Sequence, residues 1–281
     1  MSYIVYDLET SGLSAQFDVP LQAAFINTDE NLAIHRDLSL RARRPPHLVP
    51  SPQALLVTGV TPTKLEQAPL LVMEMLAQIG RALSAWAPAT ILTYNGLRFD
   101  EEVLRHAFFT HLLPPYATQG PGLKRADVLV MLRVVRLLEP GTITIPSGES
   151  GKPSLKLGDV CRANGIALHE DDAHDAMADA RATLALFKHL REVAPTTMAL
   201  MLANAHKSGP QAMLAGDDPV LLGGMTAMVP VIGIAPSPRN GAAWAVADLS
   251  VDPATYLDGT PEEIAALLTA KGQRPIRTVR T

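Results

Sequence analysis

The sequence has little cysteine, few aromatic residues and no excess of positive charge. Its one cysteine, Cys161, excludes an intramolecular disulfide and a zinc site with several cysteine ligands, and it favours a reducing compartment. Aromatic residues make up 5% of the chain, so base stacking would have to rely on few side chains. The formal net charge of −4 gives no bulk positive field for nucleic acid, although local fields decide such contacts.

Export signals and membrane spans are not indicated either. Asp7 and Glu9 lie inside the first apolar stretch and no basic segment precedes them, which argues against a secretory leader. The longest uncharged run, 219–238, contains Pro230 and Pro236 besides several glycines, so strands and turns are predicted there instead of a membrane helix. We therefore expect a cytoplasmic protein that does not contact a membrane.

The composition that remains is typical of a globular protein. The 281 residues are 47% hydrophobic and 19% charged, enough for one large domain or two ordinary ones. Strand-like and helix-like patterns alternate over residues 1–195, which predicts an α/β domain. Runs punctuated by glycine and proline follow, at 226–234 and 242–249 among others, and they predict a smaller β-rich domain over residues 196–281.

Local patterns predict individual elements of the first domain. Four prolines between residues 41 and 59 predict a loop, and a helix is expected to begin near Pro62. Cys161 lies on an apolar helical stripe and is predicted to be a core residue. Strands are predicted at 3–6, 21–28, 33–40 and 90–94, and helices at 71–83, 100–112, 126–138, 155–164 and 176–193.

Two acidic residues, Asp7 and Glu9, stand two positions apart in the first strand-like run. Residues two apart on a strand point to the same face, so both carboxylates would reach one site. Their repulsion is relieved either by water at a solvated strand end or by a bound hard cation, and the pattern alone leaves both interpretations open.

A further acid, Asp100, lies where a strand-like segment passes into a helix. It follows Tyr94-Asn95-Gly96, and such junctions often carry active-site groups in α/β folds. A carboxylate in the first turn of a helix also stabilises the helix dipole, and for Asp100 alone this is the simpler interpretation.

The last cluster is the run AHDAMAD at residues 173–179. His174 precedes a predicted helix and Asp179 lies one turn inside it, so the imidazole could overhang the carboxylate. In the alternative, Asp175 caps the helix while His174 and Asp179 are solvated. The spacing does not exclude Asp175 as the ligand.

Together these segments supply four acids and a histidine. Two-metal phosphodiester hydrolysis requires such a set, because carboxylates hold the cations and a base accepts the proton of water. The order Asp7-x-Glu9, Asp100 and His174-x4-Asp179 resembles the DEDDh family of 3′-to-5′ exonucleases, the DnaQ-like enzymes, which have an RNase H-like fold. The resemblance spans most of residues 1–195.

Within that family the chain is most similar to the bacterial exodeoxyribonuclease I group. The resemblance implies that Asp7, Glu9 and Asp179 hold one metal ion. It also implies that Asp7 and Asp100 contact a second ion and that His174 is the general base. Oxygen-only ligands indicate Mg²⁺ or Mn²⁺, two ions per site. The similar blocks are Tyr6–Thr10, Thr58–Pro62, Tyr94–Asp100 and Ala173–Asp179.

Candidate substrate contacts follow from the same resemblance and from local charge. Residues 120–165 contain seven Lys or Arg against four Asp or Glu, which suits a polyanion, although a solvated mixed surface explains the count equally well. Arg41, Arg43 and Arg44 form a second basic patch with the same ambiguity. Core packing is the simpler interpretation of Phe99, and Tyr116 is a further candidate for stacking. The candidate contacts are Thr10, Tyr94, Asn95, Arg98, Phe99 and Lys156.

The C-terminal part of the chain departs from the resembling group. Its members carry an SH3-like domain and then a helical domain after the nuclease, and together these enclose single-stranded DNA. Residues 223–249 resemble the SH3-like part. We therefore expect a small, truncated SH3-like domain and no helical domain, which puts long-distance processivity in doubt.

The resemblance leads to one expected function with two alternatives. We expect a monomeric, metal-dependent 3′-to-5′ exonuclease that degrades single-stranded DNA to nucleoside 5′-monophosphates, with a single-strand-binding protein as a candidate partner. One alternative is an exonuclease for RNA or short oligonucleotides, because the carboxylate centre does not distinguish sugars. The other is a catalytically idle module that binds single strands.

Overall fold

The computed structural model describes residues 2–148, 151–168, 175–206, 208–223, 227–269 and 274–280. The chain divides into two compact units, residues 1–198 and 199–281, which are described separately.

The first unit is built on a mixed five-stranded sheet. Strand β1 pairs antiparallel with β2 and parallel with β4, so it occupies the centre of the order β3-β2-β1-β4-β5. Because β1, β4 and β5 are parallel, their carboxyl ends meet at one edge of the sheet. The strands are β1 (Ser2–Thr10), β2 (Pro20–Thr28), β3 (Ile34–Arg41), β4 (Ala89–Thr93) and β5 (Leu123–Asp127).

Several of the helices pack on this sheet and bury apolar side chains against it. Helix α3 buries one face, including Met75, Leu76 and Ile79, and α7 packs against β1 and β2. The helices are α1 (Pro52–Thr58), α2 (Pro62–Glu66), α3 (Val72–Trp86), α4 (Asp100–Thr110), α5 (Val128–Leu138), α6 (Leu157–Ala163), α7 (Ala176–Val193) and α8 (Pro195–Ala203).

The first acidic pair lies on a strand that is otherwise largely buried in the core. Residues 3–6 of β1 are buried, and the Tyr6 ring stacks on Phe25 with ring centroids 4.9 Å apart. Asp7 and Glu9 are the half-buried positions that interrupt this strand towards its carboxyl end. Cys161 is fully buried, which raises the pKa of its thiol to about 12, so its prediction as a core residue is confirmed.

Two element predictions are wrong. The loop predicted over 41–59 contains α1, because a proline in the first helical turn leaves the helix intact, and Pro52 occupies that position. The helix predicted to begin at Ala126 begins at Val128, because residues 123–127 form β5 beside β4 and Asp127 then caps the helix. The helix predicted over 176–193 coincides with α7.

The second unit contains an antiparallel four-stranded sheet with the order β6-β7-β8-β9. Leu214, Val231 and Val246 form its core. The strands predicted at 226–234 and 242–249 correspond to β7 and β8. The elements are α9 (Ser208–Ala215), β6 (Val220–Gly223), β7 (Met228–Pro236), β8 (Ala243–Asp248), α10 (Pro261–Thr269) and β9 (Ile276–Arg280).

Across the described parts of both units, no helix combines the length and the apolar character that crossing a membrane requires.

Candidate active site

Carboxylates from β1 and α7 meet at one point. Asp7 and Glu9 project from the same face of β1, and Asp179 lies in the first turn of α7, which packs on that strand. Within this group of three, one ligand oxygen from each side chain lies within 4.8 Å of the other two. All three residues are half-buried, so a group of oxygen donors with access to solvent is formed.

Asp100 brings a fourth carboxylate to the same region. It begins α4 and is 8% exposed. It does not belong to the 4.8 Å group, but its charge raises the pKa of both Asp7 and Glu9. The acids from β1, α4 and α7 therefore act on one another although they are distant in the sequence.

The first pair of acids holds its protons unusually tightly. Burial, and then repulsion from Asp100 and Asp179, raises the pKa of Asp7 well above its ordinary value. Burial, and then repulsion from Asp179 and Asp100, raises the pKa of Glu9 from 4.5 to about 8, against a lowering effect of Arg41. A bound divalent cation would supply the positive charge that these carboxylates lack.

Asp100 shows the same behaviour with different neighbours. Burial, followed by repulsion from Glu101 and Asp127, raises the pKa of Asp100 from 3.8 to about 7. A Cβ on Gly96 would lie 2.5 Å from Asp100 Oδ2 and 2.8 Å from Thr93 Cβ. The glycine therefore gives the carboxylate its room, because any larger residue at position 96 would displace it.

The buried Glu101 carboxylate and its ion pair with the half-buried Arg125 anchor the helix that begins with Asp100. Glu101 Oε1 accepts a hydrogen bond from the Tyr6 hydroxyl at 3.0 Å. Glu101 Oε2 accepts from Thr118 Oγ1 at 2.7 Å and from Arg125 Nη1 at 2.9 Å. These contacts join β1, β5 and the segment after α4 to the first turn of α4, and so they fix the direction in which Asp100 points.

Asp127 holds the turn between β4 and α4. Its Oδ1 accepts from the backbone N–H of Asn95 and of Leu129, each at 2.9 Å, and its Oδ2 accepts from that of Leu97 at 3.4 Å. Asn95 has a left-handed φ of 63°, which asparagine tolerates better than most residues. One buried carboxylate therefore caps α5 and shapes the turn that leads to Asp100.

Asp175 is the N-cap of α7. Its Oδ1 accepts from Met177 N at 3.0 Å, and its Oδ2 accepts from Gln22 Nε2 and Arg41 Nη2, each at 2.7 Å. The capping interpretation of Asp175 is thus confirmed, whereas Asp179 is half-buried beside Asp7 and Glu9. His174, the predicted general base, lies outside the described residues.

The predicted substrate contacts near β1 and β4 have different surroundings. Thr10 is buried and its hydroxyl donates to the Gly12 carbonyl at 2.7 Å. The Tyr94 hydroxyl donates to the Leu155 carbonyl, and this bond ties the end of β4 to the segment before α6.

The remaining predicted contacts lie on two segments. Asn95 and Arg98 are exposed and Phe99 is half-buried, all on the segment immediately before Asp100. Lys156 is exposed at the start of α6. The Arg98 and Lys156 side chains are exposed, so an anionic ligand can reach both of them.

The loop after β1 carries two exposed apolar side chains that the sequence analysis did not single out. Leu13 is 87% exposed and Phe17 is 74% exposed. The loop is internally bonded, because the Asp18 carboxylate accepts from Ser11 Oγ at 2.7 Å and from Ser14 N at 2.8 Å. Two large exposed apolar side chains on an internally bonded loop are candidates for a ligand contact, and the sequence signal for them was their place directly after the Tyr6–Thr10 block.

The donor set fits a hard divalent cation. Among the described residues, the ligand group at the meeting point of β1 and α7 consists of three carboxylates, and such ligands are preferred by Mg²⁺, Mn²⁺ and Ca²⁺ over softer metals. Burial and mutual repulsion raise the pKa of Asp7 and Glu9, and a bound cation would oppose both effects. The arrangement can therefore bind a cation together with an anionic ligand that shares it.

Comparison with known proteins places this geometry in a family. The profile of an exonuclease family of the RNase T type matches residues 4–187. Exodeoxyribonuclease I from Haemophilus influenzae is 31% identical over 255 residues, which are 90% of this chain and 52% of that protein. The Escherichia coli protein of the same name is 31% identical over 254 residues, 90% of this chain and 51% of the relative. The chain thus spans about half the length of these curated relatives.

Solved structures agree with the sequence comparisons. Exonuclease I from Methylocaldum szegediense superposes with a TM-score of 0.86 at 34% identity, over 99% of this chain and 62% of that one. Escherichia coli exonuclease I in complex with a dA16 oligonucleotide gives a TM-score of 0.84 at 29% identity, over 99% of this chain and 63% of the other. The mixed α/β, RNase H-like fold expected from the motifs is therefore confirmed, and the chain belongs to the exonuclease family.

Proposed function

We propose that this chain is a metal-dependent 3′-to-5′ exonuclease that degrades single-stranded DNA to nucleoside 5′-monophosphates. The observation that carries the proposal is the convergence of Asp7, Glu9 and Asp179 within 4.8 Å in a chain that belongs to an exonuclease family. The relatives named exodeoxyribonuclease I and the neighbour structure with a dA16 oligonucleotide support DNA single strands as the substrate class.

The four acids would hold two ions of Mg²⁺ or Mn²⁺. Asp7, Glu9 and Asp179 fit one ion, and Asp100 would share the second with Asp7. When bound, the ions neutralise the charge of the scissile phosphate and lower the pKa of the attacking water. Because the carboxylates are fixed by β1, α4 and α7, their contribution needs little rearrangement when the substrate arrives.

The remaining residues would bind and orient the strand. Arg98 and Lys156 are exposed cations that can contact phosphates, and Asn95 offers a polar side chain on the same segment as Arg98. Phe17 and Leu13 add exposed apolar surface directly after β1, which suits contact with the unstacked terminal bases. We assign the role of general base to His174 on the family resemblance, as the group that accepts the proton of the attacking water.

The proposal also assigns a domain type to each of the two units. We assign residues 1–195 to the exonuclease domain and residues 196–281 to an SH3-like domain, on the resemblance of residues 223–249 and on the antiparallel sheet β6–β9. A neighbour structure that contains both SSB and exonuclease I supports a single-strand-binding protein as a partner. Size-exclusion chromatography with and without that protein tests both this contact and the monomeric state.

A polarity assay tests the proposed reaction. The wild-type chain is incubated with a 5′-labelled DNA single strand and Mg²⁺, with an EDTA sample and a matched RNA strand as comparisons. Stepwise shortening from the 3′ end of DNA, abolished by EDTA, is expected. Preferential shortening of RNA would replace DNA by RNA as the substrate, and binding of the strand without shortening in Mg²⁺ or Mn²⁺ would contradict the nuclease assignment.

A further inference from the structure

A second group of polar side chains meets at the beginning of α7, one helical turn before Asp179. Asp175 Oδ2 accepts hydrogen bonds from Gln22 Nε2 on β2 and from Arg41 Nη2 on β3, each at 2.7 Å. Asp175 Oδ1 accepts from the backbone N–H of Met177 at 3.0 Å. One carboxylate therefore joins two strands of the sheet to the first turn of the helix.

This group lies directly beside the three clustered carboxylates. Gln22 on β2 is the register partner of Glu9 on β1. The backbone N–H of Asp179 donates to the Asp175 carbonyl at 3.0 Å, so the two acids are linked through the helix itself. A displacement of Asp175 would consequently be passed on to Asp179.

We propose that Arg41 and Gln22 are positioning residues of the metal centre, which hold Asp175 so that Asp179 faces Asp7 and Glu9 and the Asp175 carboxylate does not bind the cation. The inference rests on the proposed function, because it takes the carboxylate cluster to be a cation site. The proposal adds two residues to the site. They come from β2 and β3, two strands that carry none of the proposed metal ligands.

The hydrogen bonds that Asp175 accepts support this role. Its two oxygens accept three hydrogen bonds from three different elements, and these bonds fix the orientation of the carboxylate. Without these donors the carboxylate would stand among acids of the same sign, where it would compete with Asp179 for a cation.

Gln22 provides an independent indication. It is only 2% exposed, and its second polar atom, Oε1, is buried without a hydrogen-bond partner among the residues that the structure describes. A buried carbonyl oxygen without a partner is unfavourable for stability. Among the described residues, the amide's one side-chain hydrogen bond is the one to Asp175, and this contact accounts for a glutamine at a position where its Oε1 is left unpaired.

Arg41 affects metal binding in two opposite ways, through its charge and through its hydrogen bond. The proposal is testable because the two effects predict opposite changes in metal affinity when Arg41 is replaced. The guanidinium charge beside a cation site disfavours the cation, so loss of charge alone would strengthen metal binding. The hydrogen bond to Asp175 orders the site, so its loss would weaken metal binding. The Arg41 side chain is 42% exposed and its charge is screened by solvent. Groups that orient metal ligands typically change metal affinity by about 10-fold to 100-fold. We therefore expect the loss of positioning to dominate.

The test measures Mn²⁺ affinity of the full chain by titration calorimetry in the absence of DNA. Arg41→Met removes the charge and the hydrogen bonds while it keeps the aliphatic stem, and Arg41→Lys can still donate to Asp175. Arg181→Met is the matched control, because Arg181 of α7 pairs with Asp37 of β3 at 3.4 Å and so links the same two elements without touching Asp175.

We expect Mn²⁺ affinity to fall about 10-fold in Arg41→Met, to stay within about 3-fold of wild type in Arg41→Lys, and to be unchanged in Arg181→Met. Equal or tighter Mn²⁺ binding by folded Arg41→Met would overturn the proposal. If Arg41→Met does not fold, Gln22→Met decides in the same titration, with weaker binding expected and unchanged binding overturning it. Because the titration needs no cleavage, a wild type that binds Mn²⁺ but leaves DNA intact would count against the proposed function alone.

Discussion

Gly96 and Asp100 lie so close that a Cβ on the glycine would stand 2.5 Å from Asp100 Oδ2. The same Cβ would stand 2.8 Å from Thr93 Cβ, an atom of a buried strand that has little freedom to move. The Asp100 carboxylate thus occupies space that is open only because residue 96 has no side chain.

Gly96→Ala should therefore displace the Asp100 carboxylate. We expect the Mg²⁺ concentration for half-maximal exonuclease activity to rise about 10-fold, the size of effect seen when metal ligands lose their orientation. Gly80→Ala is the control, because a Cβ there would meet Phe108 at an ordinary 3.5 Å and alanine favours the helix. An unchanged Mg²⁺ requirement in Gly96→Ala would show that Asp100 is not a metal ligand.

Asp7→Asn should separate activity from stability. A buried carboxyl at position 7 is unfavourable because its charged form is disfavoured by burial and by the neighbouring acids, and the amide cannot ionise, so the melting temperature in EDTA is expected to rise. Loss of a ligand shared by both ions is expected to reduce cleavage by about three orders of magnitude, and to remove most of the stabilisation by Mg²⁺. Asp37→Asn on the exposed face of β3 should change neither property. An Asp7→Asn protein that is less stable in EDTA and cleaves normally would refute the assigned role.

The raised pKa values predict how the stability of the metal-free protein depends on pH. In the folded chain Glu9 keeps its proton up to a pKa of about 8, whereas the unfolded value is 4.5; for Asp100 the corresponding values are about 7 and 3.8. Across these windows the unfolded state binds fewer protons, so the free energy of unfolding falls as pH rises and levels off above the folded values.

Melting curves in EDTA between about pH 5 and about pH 8 measure this effect. Glu9→Gln is the matched variant, and the melting temperature of wild type relative to that of Glu9→Gln should decrease with rising pH. Saturating Mg²⁺ should reduce the decrease, because cation binding replaces protons. A difference that increases with pH would mean that Glu9 is stabilised in its charged form.

The ion pair between Glu101 and Arg125 should matter for both folding and the site. Glu101 is 4% exposed, so Arg125→Met leaves a buried carboxylate without its cation, at a cost of about 3 kcal/mol in the free energy of unfolding. Arg162→Met removes an exposed pair with Asp159 and should cost less than about 1 kcal/mol. Urea unfolding in EDTA compares the two variants, and equal costs would contradict the burial argument.

The features of the site that depend on the periodicity of a single strand or helix were predictable from the sequence. The alternation of β1 brings Asp7 and Glu9 to one face, and the apolar period of α7 gave that helix its correct limits. Both depend on short-range regularities, which a single sequence displays.

The supporting contacts were not predictable in the same way. Arg41 meets Asp175, and Glu101 meets Arg125, only because distant elements are packed together, and no local period marks either pair. Helix α1 was missed because its proline resembles a loop signal, although a first-turn proline is compatible with a helix. Strand β5 was missed because three of its five residues, Lys124, Arg125 and Asp127, are charged and give no apolar strand pattern.

Anomalous scattering from crystals grown with Mn²⁺ tests the central claim most directly. If the acids of β1, α4 and α7 form a two-ion centre, two anomalous peaks should appear about 3.5 to 4 Å apart, with Asp7 in contact with both. Mn²⁺ bound elsewhere on the protein, with no peak within ligand distance of Asp7, Glu9 and Asp179, would contradict the account.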